Sequence, residues 1–303
     1  MIDRRTFIRF SLSAAAAAAF GGIPVLRIIT PEAEAASGPP LAVRKGKDIS
    51  AAVREAVASL GGMSSFVKKG ETVVLKPNIG WDRAVEFGAN THPLVVTTVA
   101  ELCLEAGADK ITVFDRSCND PRRCYVESGI QDAIEGMKNK KVVIEHIDRR
   151  AFSDIDIDNG KELARWSFYK PAIEADRLIN IPVAKHHGIS KVTLGMKNMM
   201  GVIGGNRGRL HRNISESLAD INSVIHSDLT IIDATRVLTA NGPVGGRLED
   251  VKVMDTIIAS PDIVAADAYA ATLFGHKPED IESITAGAGR GLGIMDLNRI
   301  RMV

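Results

Sequence analysis

Between residues 185 and 212 the chain carries Lys185, Lys191, Lys197, Arg207, Arg209 and Arg212 together with His186, His187 and His211, and no Asp or Glu. So dense a run of cations needs counter-charge, which phosphate or carboxylate groups on a small ligand would supply. Gly201, Gly204, Gly205 and Gly208 would let backbone approach such a ligand closely, although their spacing matches neither a Walker loop nor the dinucleotide pattern G-x-G-x-x-G. Two plainer alternatives stand beside this one. Asp115, Asp233 or Asp267 could neutralise the cluster from within the fold, or the run could be a solvated basic face.

His186 and His187 are adjacent, so their side chains diverge and make a poor chelating pair by themselves. A bound metal ion would need one of them joined by His92, His211 or an aspartate from elsewhere in the fold. A positioned acid or an anion-binding histidine suits the pattern better. Met196, Met199 and Met200 recur at helical spacing and read as core rather than as cofactor contacts.

Further polar residues stand where apolar runs stop: Lys76-Pro77-Asn78, Asp115-Arg116, Pro182 to His187, and Asp233. In an open parallel sheet ligands bind beyond the carboxyl ends of the strands, where loops vary and helix N-termini converge. One rim could therefore collect Lys76, Asn78, His92, Lys185, Lys197 and Asn198 around an anion, with His186 as acid or base and Asp233 or Asp267 orienting it.

The elements that must place these residues alternate in type. Helical spacing covers 49–60, 93–106 and 122–137, while β-rich runs cover 72–75, 110–114 and 141–147, the first stopped by Pro77. Thr91 or His92 stands at the expected cap of the second helix, with Pro93 in its first turn and Gly107 at its close. Residues 148–170 alternate as an antiparallel hairpin would. The aspartates at 154, 156 and 158 lack the rest of a calcium loop and read as a solvated strand face. Later strands are expected over 178–181, 229–232 and 253–259, with helices over 192–202, 214–226, 262–274 and 279–286. The expected fold class is α/β, with open, mostly parallel sheets and flanking helices, in one large or two intertwined α/β lobes.

Ahead of this lies an expected export leader, residues 1–35, followed by the α/β region over 36–303. Arg4-Arg5 precedes Phe7, a mild alanine-rich stretch follows, and Ala33-Glu34-Ala35 offers a small-x-small cleavage site. Arg27 interrupts the stretch, which is too weakly apolar for a lasting membrane span. The pattern is that of twin-arginine export, so the translocase is an expected partner and the mature part is expected in the periplasm or outside the cell. A net charge of +1 and 5% aromatic residues give no global sign of nucleic-acid or membrane-surface binding. The three cysteines, Cys103, Cys118 and Cys124, lack the spacing for zinc or an iron–sulfur cluster. Cys103 falls on an apolar helix face, and Cys118 with Cys124 would be either a disulfide or two free thiols.

Several of these segments together resemble the domain of unknown function 362 family. They are Lys76-Pro77-Asn78, Thr91-His92-Pro93, the run from Ile179 to His186, Thr193 to Gly201, Ile232-Asp233, Gly242-Pro243, and Ala259 to Asp262 with Ala265 to Ala268. The resemblance spans nearly all of the chain after the leader. It implies iron–sulfur neighbours, often fused, for which this chain lacks the cysteines, and it leaves the reaction open.

Three functions follow as expectations. The first is an exported enzyme acting on a small anionic substrate or with an anionic cofactor. The second is a periplasmic accessory protein that holds an anion or metal without turnover. The third is an enzyme similar to the nickel-pincer racemase group, whose marks would be nickel and a covalent lysine adduct.

Overall fold

Residues 38–303 are described by a computed structural model, so the expected leader, with Arg4, Arg5 and its cleavage site, lies outside the described residues. The strands, in chain order, are β1 (Pro40–Lys45), β2 (Thr72–Pro77), β3 (Lys110–Val113), β4 (Val142–Ile144), β5 (Phe152–Asp156), β6 (Arg165–Tyr169), β7 (Arg177–Ile181), β8 (Val183–His187), β9 (Lys191–Thr193), β10 (Leu229–Leu238), β11 (Val251–Ser260) and β12 (Arg301–Met302). The helices are α1 (Ile49–Ser59), α2 (Pro93–Glu105), α3 (Pro121–Glu127), α4 (Ile130–Gly136), α5 (Lys170–Glu174), α6 (Gly195–Asn198), α7 (Ile214–Val224), α8 (Ile263–Ala271) and α9 (Glu282–Gly289).

Among the described residues ten strands form one mixed sheet in the order β12-β1-β11-β10-β7-β2-β3-β4, with β8 beside β10 and β9 beside β8. The strands β4, β3, β2, β7 and β10 are mutually parallel, as the β–α alternation predicts. Their carboxyl ends therefore share one rim. Beyond β10 the sheet turns antiparallel through β11 and β1. The expected hairpin over 148–170 is the separate pair β5–β6.

Strand alternation divides the core between the two faces. Val73, Leu75, Ile231 and Ile257 pack on one side with α1 to α4, and Val74, Ile232 and Ile258 pack on the other with α6 to α9. Helix α1 shows why these segments fold locally: Asp48 caps it by accepting the Ala51 N–H, and Ala52, Val53, Ala56 and Val57 form its buried stripe. In α2, His92 is the capping residue and Pro93 opens the helix.

Four expectations needed correction. The helix expected over 122–137 is two helices, because Gly129 adopts a left-handed φ of 72° between them. Strand β2 runs on to Pro77 instead of stopping at Leu75, since β7 extends alongside it to Ile181. The run from Pro182 to His187, expected as the exit from a strand, is itself mostly strand, β8, which continues along β10. Residues 192–202 begin in β9 and only then form the single turn of α6 and a 3₁₀ turn, Met199–Val202.

Candidate functional site

The rim is built on β2. Just past its end the Asn78 N–H donates to Thr91 Oγ1 at 2.8 Å, and the Thr91 hydroxyl donates to the carbonyl of Ile181 at 2.7 Å. The loop from 78 to 92 is thereby stitched to the end of β7. The α6 turn then delivers Asn198 against β2. Its Nδ2 donates to the Lys76 carbonyl (3.0 Å) and to Asn180 Oδ1 (2.8 Å), and its Oδ1 accepts from Lys76 Nζ (3.0 Å) and Asn78 Nδ2 (3.1 Å). Every polar atom of this buried amide is satisfied, as burial requires.

Lys76 is fully buried, and its Nζ lies 2.8 Å from Asp115 Oδ1 at the end of β3. The other Asp115 oxygen accepts the Ile79 N–H at 2.7 Å. Burial lowers the Lys76 ammonium from its ordinary range while the Asp115 charge opposes that shift. Asp115 therefore does neutralise one lysine of the site from within, but only that one.

Lys185 and Lys197 face a cavity of about 590 Å³ that Asn78, Asp115, Asn198, His187 and Arg207 also line. Lys185 Nζ donates to Asn78 Oδ1 at 3.0 Å and to the Ala89 carbonyl, and burial brings it down to about 7. Lys197 is brought down to about 8, again by burial. Its Nζ meets only the thioether of Met200, at 3.6 Å, and among the described residues no carboxylate pairs with either lysine. A thioether is a weak acceptor, so the Lys197 ammonium is left with unspent donors toward the cavity.

Of the expected site residues, Asn78, Lys185, Lys197 and Asn198 line this cavity, and Lys76 stands directly behind Asp115 and Asn198. The others go elsewhere. Asp233 Oδ2 accepts the His92 backbone N–H at 2.7 Å while its Oδ1 accepts from Thr235, and His92 Nδ1 accepts the Leu94 N–H as a helix cap. Asp267 accepts the N–H groups of Gly195 and Met196 at 2.6 and 2.9 Å, anchoring the start of α6, and burial pushes it up to about 7. His186 Nδ1 accepts the Gly242 N–H at 3.1 Å.

The histidines that line the cavity are His187 and His211. Strand β8 points Lys185 and His187 to one face and His186 to the other, and this two-residue period was the signal available in the sequence. His187 Nδ1 accepts from the N–H groups of Ile189 and Ser190, and its ring lies 6.1 Å from that of His211. Burial, then the charge of Lys197, hold His187 down to about 3, so the ring is neutral and carries its proton on Nε2. Among the described residues no three His, Cys, Asp or Glu side chains gather as a metal centre would need. Cys118 and Cys124 are unbonded thiols: Cys118 is exposed at the cavity, and Cys124 is buried with its Sγ 3.6 Å from the Gly80 carbonyl. No helix of the described residues is long and apolar enough to cross a membrane.

Against known proteins, the profile of the family described as domain of unknown function, DUF362, matches residues 73–272. A thylakoid-associated protein of Synechocystis sp. is 29% identical over 250 residues, covering 80% of this chain and 75% of that protein. Among solved structures, a Thermotoga maritima protein aligns with a TM-score of 0.46 at 12% identity, over 75% of this chain and 59% of its own. The lactate racemase apoprotein of Thermoanaerobacterium thermosaccharolyticum aligns at 0.47 and 10% identity, over 79% of this chain and 57% of its own.

Proposed function

The chain belongs to the DUF362 family, and from the cavity at its sheet rim we propose an exported enzyme that performs acid–base chemistry on a small anionic substrate, or with an anionic cofactor. The observation that carries this reading is the pair of buried lysines, Lys185 and Lys197, opening on one cavity and paired with no carboxylate among the described residues, Asp115 in its wall being taken by Lys76.

Each lysine has its own part. Lys197, with unspent donors, holds a phosphate or carboxylate oxygen of the ligand. Lys185 gives two of its N–H groups to Asn78 and Ala89, so its remaining position is a proton when charged and a lone pair when neutral. At about 7 it exchanges between those forms near neutral pH, as a general acid–base group must. His187, neutral with its proton on Nε2, donates a hydrogen bond to the ligand and does not serve as a base. This reassigns the role expected for His186.

The test does not require the substrate to be known. The protein is incubated in D₂O with a panel of small carboxylates and phosphate esters, and exchange of ligand protons for solvent deuterons is followed by NMR. Exchange that Lys185→Arg abolishes, with binding retained, supports the enzyme. Binding across the panel with neither exchange nor turnover would instead favour an accessory protein that only holds an anion. Native mass spectrometry and elemental analysis of protein isolated from its own cell envelope would identify a retained ligand or metal, nickel included.

A further inference from the structure

A second cavity, of about 580 Å³, adjoins the first and is lined by Arg116, Arg149, Arg207 and His146, with Ile147 and Phe152 as its apolar wall. The two cavities share Asp115, Arg116, Cys118, Gly205 and Arg207. Asp115, the sole carboxylate in either wall, is committed to Lys76 and to the Ile79 N–H. The acids next to lining residues in sequence are taken as well: Glu145 pairs with Lys110, Asp148 with Arg150 and Asp120 with Arg122.

The three guanidinium groups therefore keep their charge. Arg116 donates to the carbonyls of Ile203 and Gly205 at 2.8 and 3.0 Å, and Arg207 donates to those of Arg116 and Ser117 at 2.7 and 2.8 Å. These bonds fix the planes of both groups without neutralising either. Arg149 is exposed, and no hydrogen bond or ion pair is formed by its side chain among the described residues. Burial, then repulsion from Arg207 and Arg149, hold Arg116 down to about 10. Like charges placed together without counter-charge are destabilising unless an anion joins them, and a planar guanidinium fork matches phosphate oxygens in pairs.

We propose that the two cavities form one cleft for a ligand with two anionic groups, the first held beside Lys185 and Lys197 and the second, a phosphate or phosphonate-like group, among Arg116, Arg149 and Arg207. The proposal rests on the anionic reading of the first cavity and adds a second anchor to it. Ile147 and Phe152 would cover the body of the ligand, and Cys118, common to both cavities, marks the junction.

The test uses inorganic phosphate and a series of alkane-1,n-bisphosphonates of increasing chain length, with titration calorimetry on the wild type, Arg149→Gln and Lys197→Met. Arg149 is exposed, so its replacement leaves the fold intact. The wild type should bind two phosphates per chain, and one bisphosphonate length should bind one per chain at least tenfold more tightly than phosphate. That bisphosphonate should slow iodoacetamide labelling of Cys118. Arg149→Gln should keep one phosphate and lose the tenfold gain. If the wild type takes a single phosphate that Lys197→Met removes, and no chain length gains affinity, the second anchor is refuted while the first cavity's reading stands. If neither phosphate nor any bisphosphonate binds, both are refuted.

Discussion

Lys76 Nζ and Asp115 Oδ1 meet at 2.8 Å beneath the backbone of Gly201, where a Cβ would lie 1.9 Å from that oxygen and 2.3 Å from Lys76 Cε. The glycine is there because the ion pair occupies the space of its missing side chain. Gly201 also lines the first cavity, where it was expected to let a ligand approach, and the room it leaves is shared with the protein's own buried pair.

Gly201→Ala should accordingly cost at least the about 1–3 kcal/mol of an overpacked core, and more if the ion pair opens. Urea unfolding followed by circular dichroism reads the effect. A midpoint unchanged from wild type would show that the pair is not held as tightly as described.

Replacing Lys197 by Met should separate binding from stability. The substitution removes a buried cation that lacks a carboxylate partner, so thermal stability should hold or rise, because the desolvation cost goes with it. Sulfate affinity should fall at least tenfold. A variant that melts well below wild type while binding sulfate normally would make Lys197 a structural residue.

The pH response has two opposite signs. Lys185 titrates at about 7 and Lys197 at about 8 in the folded chain, against about 10.4 when unfolded. Both ammonium groups are charged below pH 7, so sulfate should bind best there, weaken between pH 7 and 9, and draw protons from solvent as it binds. Stability of the ligand-free protein runs the other way. Above its folded pKa and below about pH 10 each lysine is held protonated only in the unfolded chain, so stability rises by up to about 1.4 kcal/mol per pH unit for Lys185 from about pH 7 and for Lys197 from about pH 8. Calorimetric melts from pH 6 to 9 should show this climb in wild type and a shallower one in Lys185→Met. Parallel slopes would remove Lys185 as its source.

Export is tested at Arg4 and Arg5. Changing both to Lys should leave the precursor in the cytoplasm, whereas the wild type should yield a mature N-terminus near Ala36. Export of the Lys-Lys form at the normal rate by the same pathway would end the twin-arginine reading.

That β2, β3, β7 and β10 carry parallel pairings was legible because short apolar runs alternate with helical segments between them, and crossovers of that length bring the strand ends to one rim. The same logic led to Asn78, Lys185, Lys197 and Asn198, which line one cavity. It misplaced His92, Asp233 and Asp267 because a polar residue at a strand or helix end can satisfy backbone N–H groups as readily as a ligand, and composition does not distinguish the two. His186 was preferred to His187 because adjacency shows only that the two rings diverge, not which of them shares a strand face with Lys185. Arg149 was missed because its partners are 30 to 60 residues away in sequence, as Arg116 and Arg207 show.

Strand β1 lies between β11 and β12, with Ala42 opposite Ala259 and Pro40 opposite Arg301. An early segment is thus paired only with segments made more than two hundred residues later. Through the synthesis of β2 to β10, β1 has no sheet partner, because β11 and β12 are not yet made. Completion of this sheet is therefore a late step of folding, and β1 is open to chaperones while β2 to β10 are made.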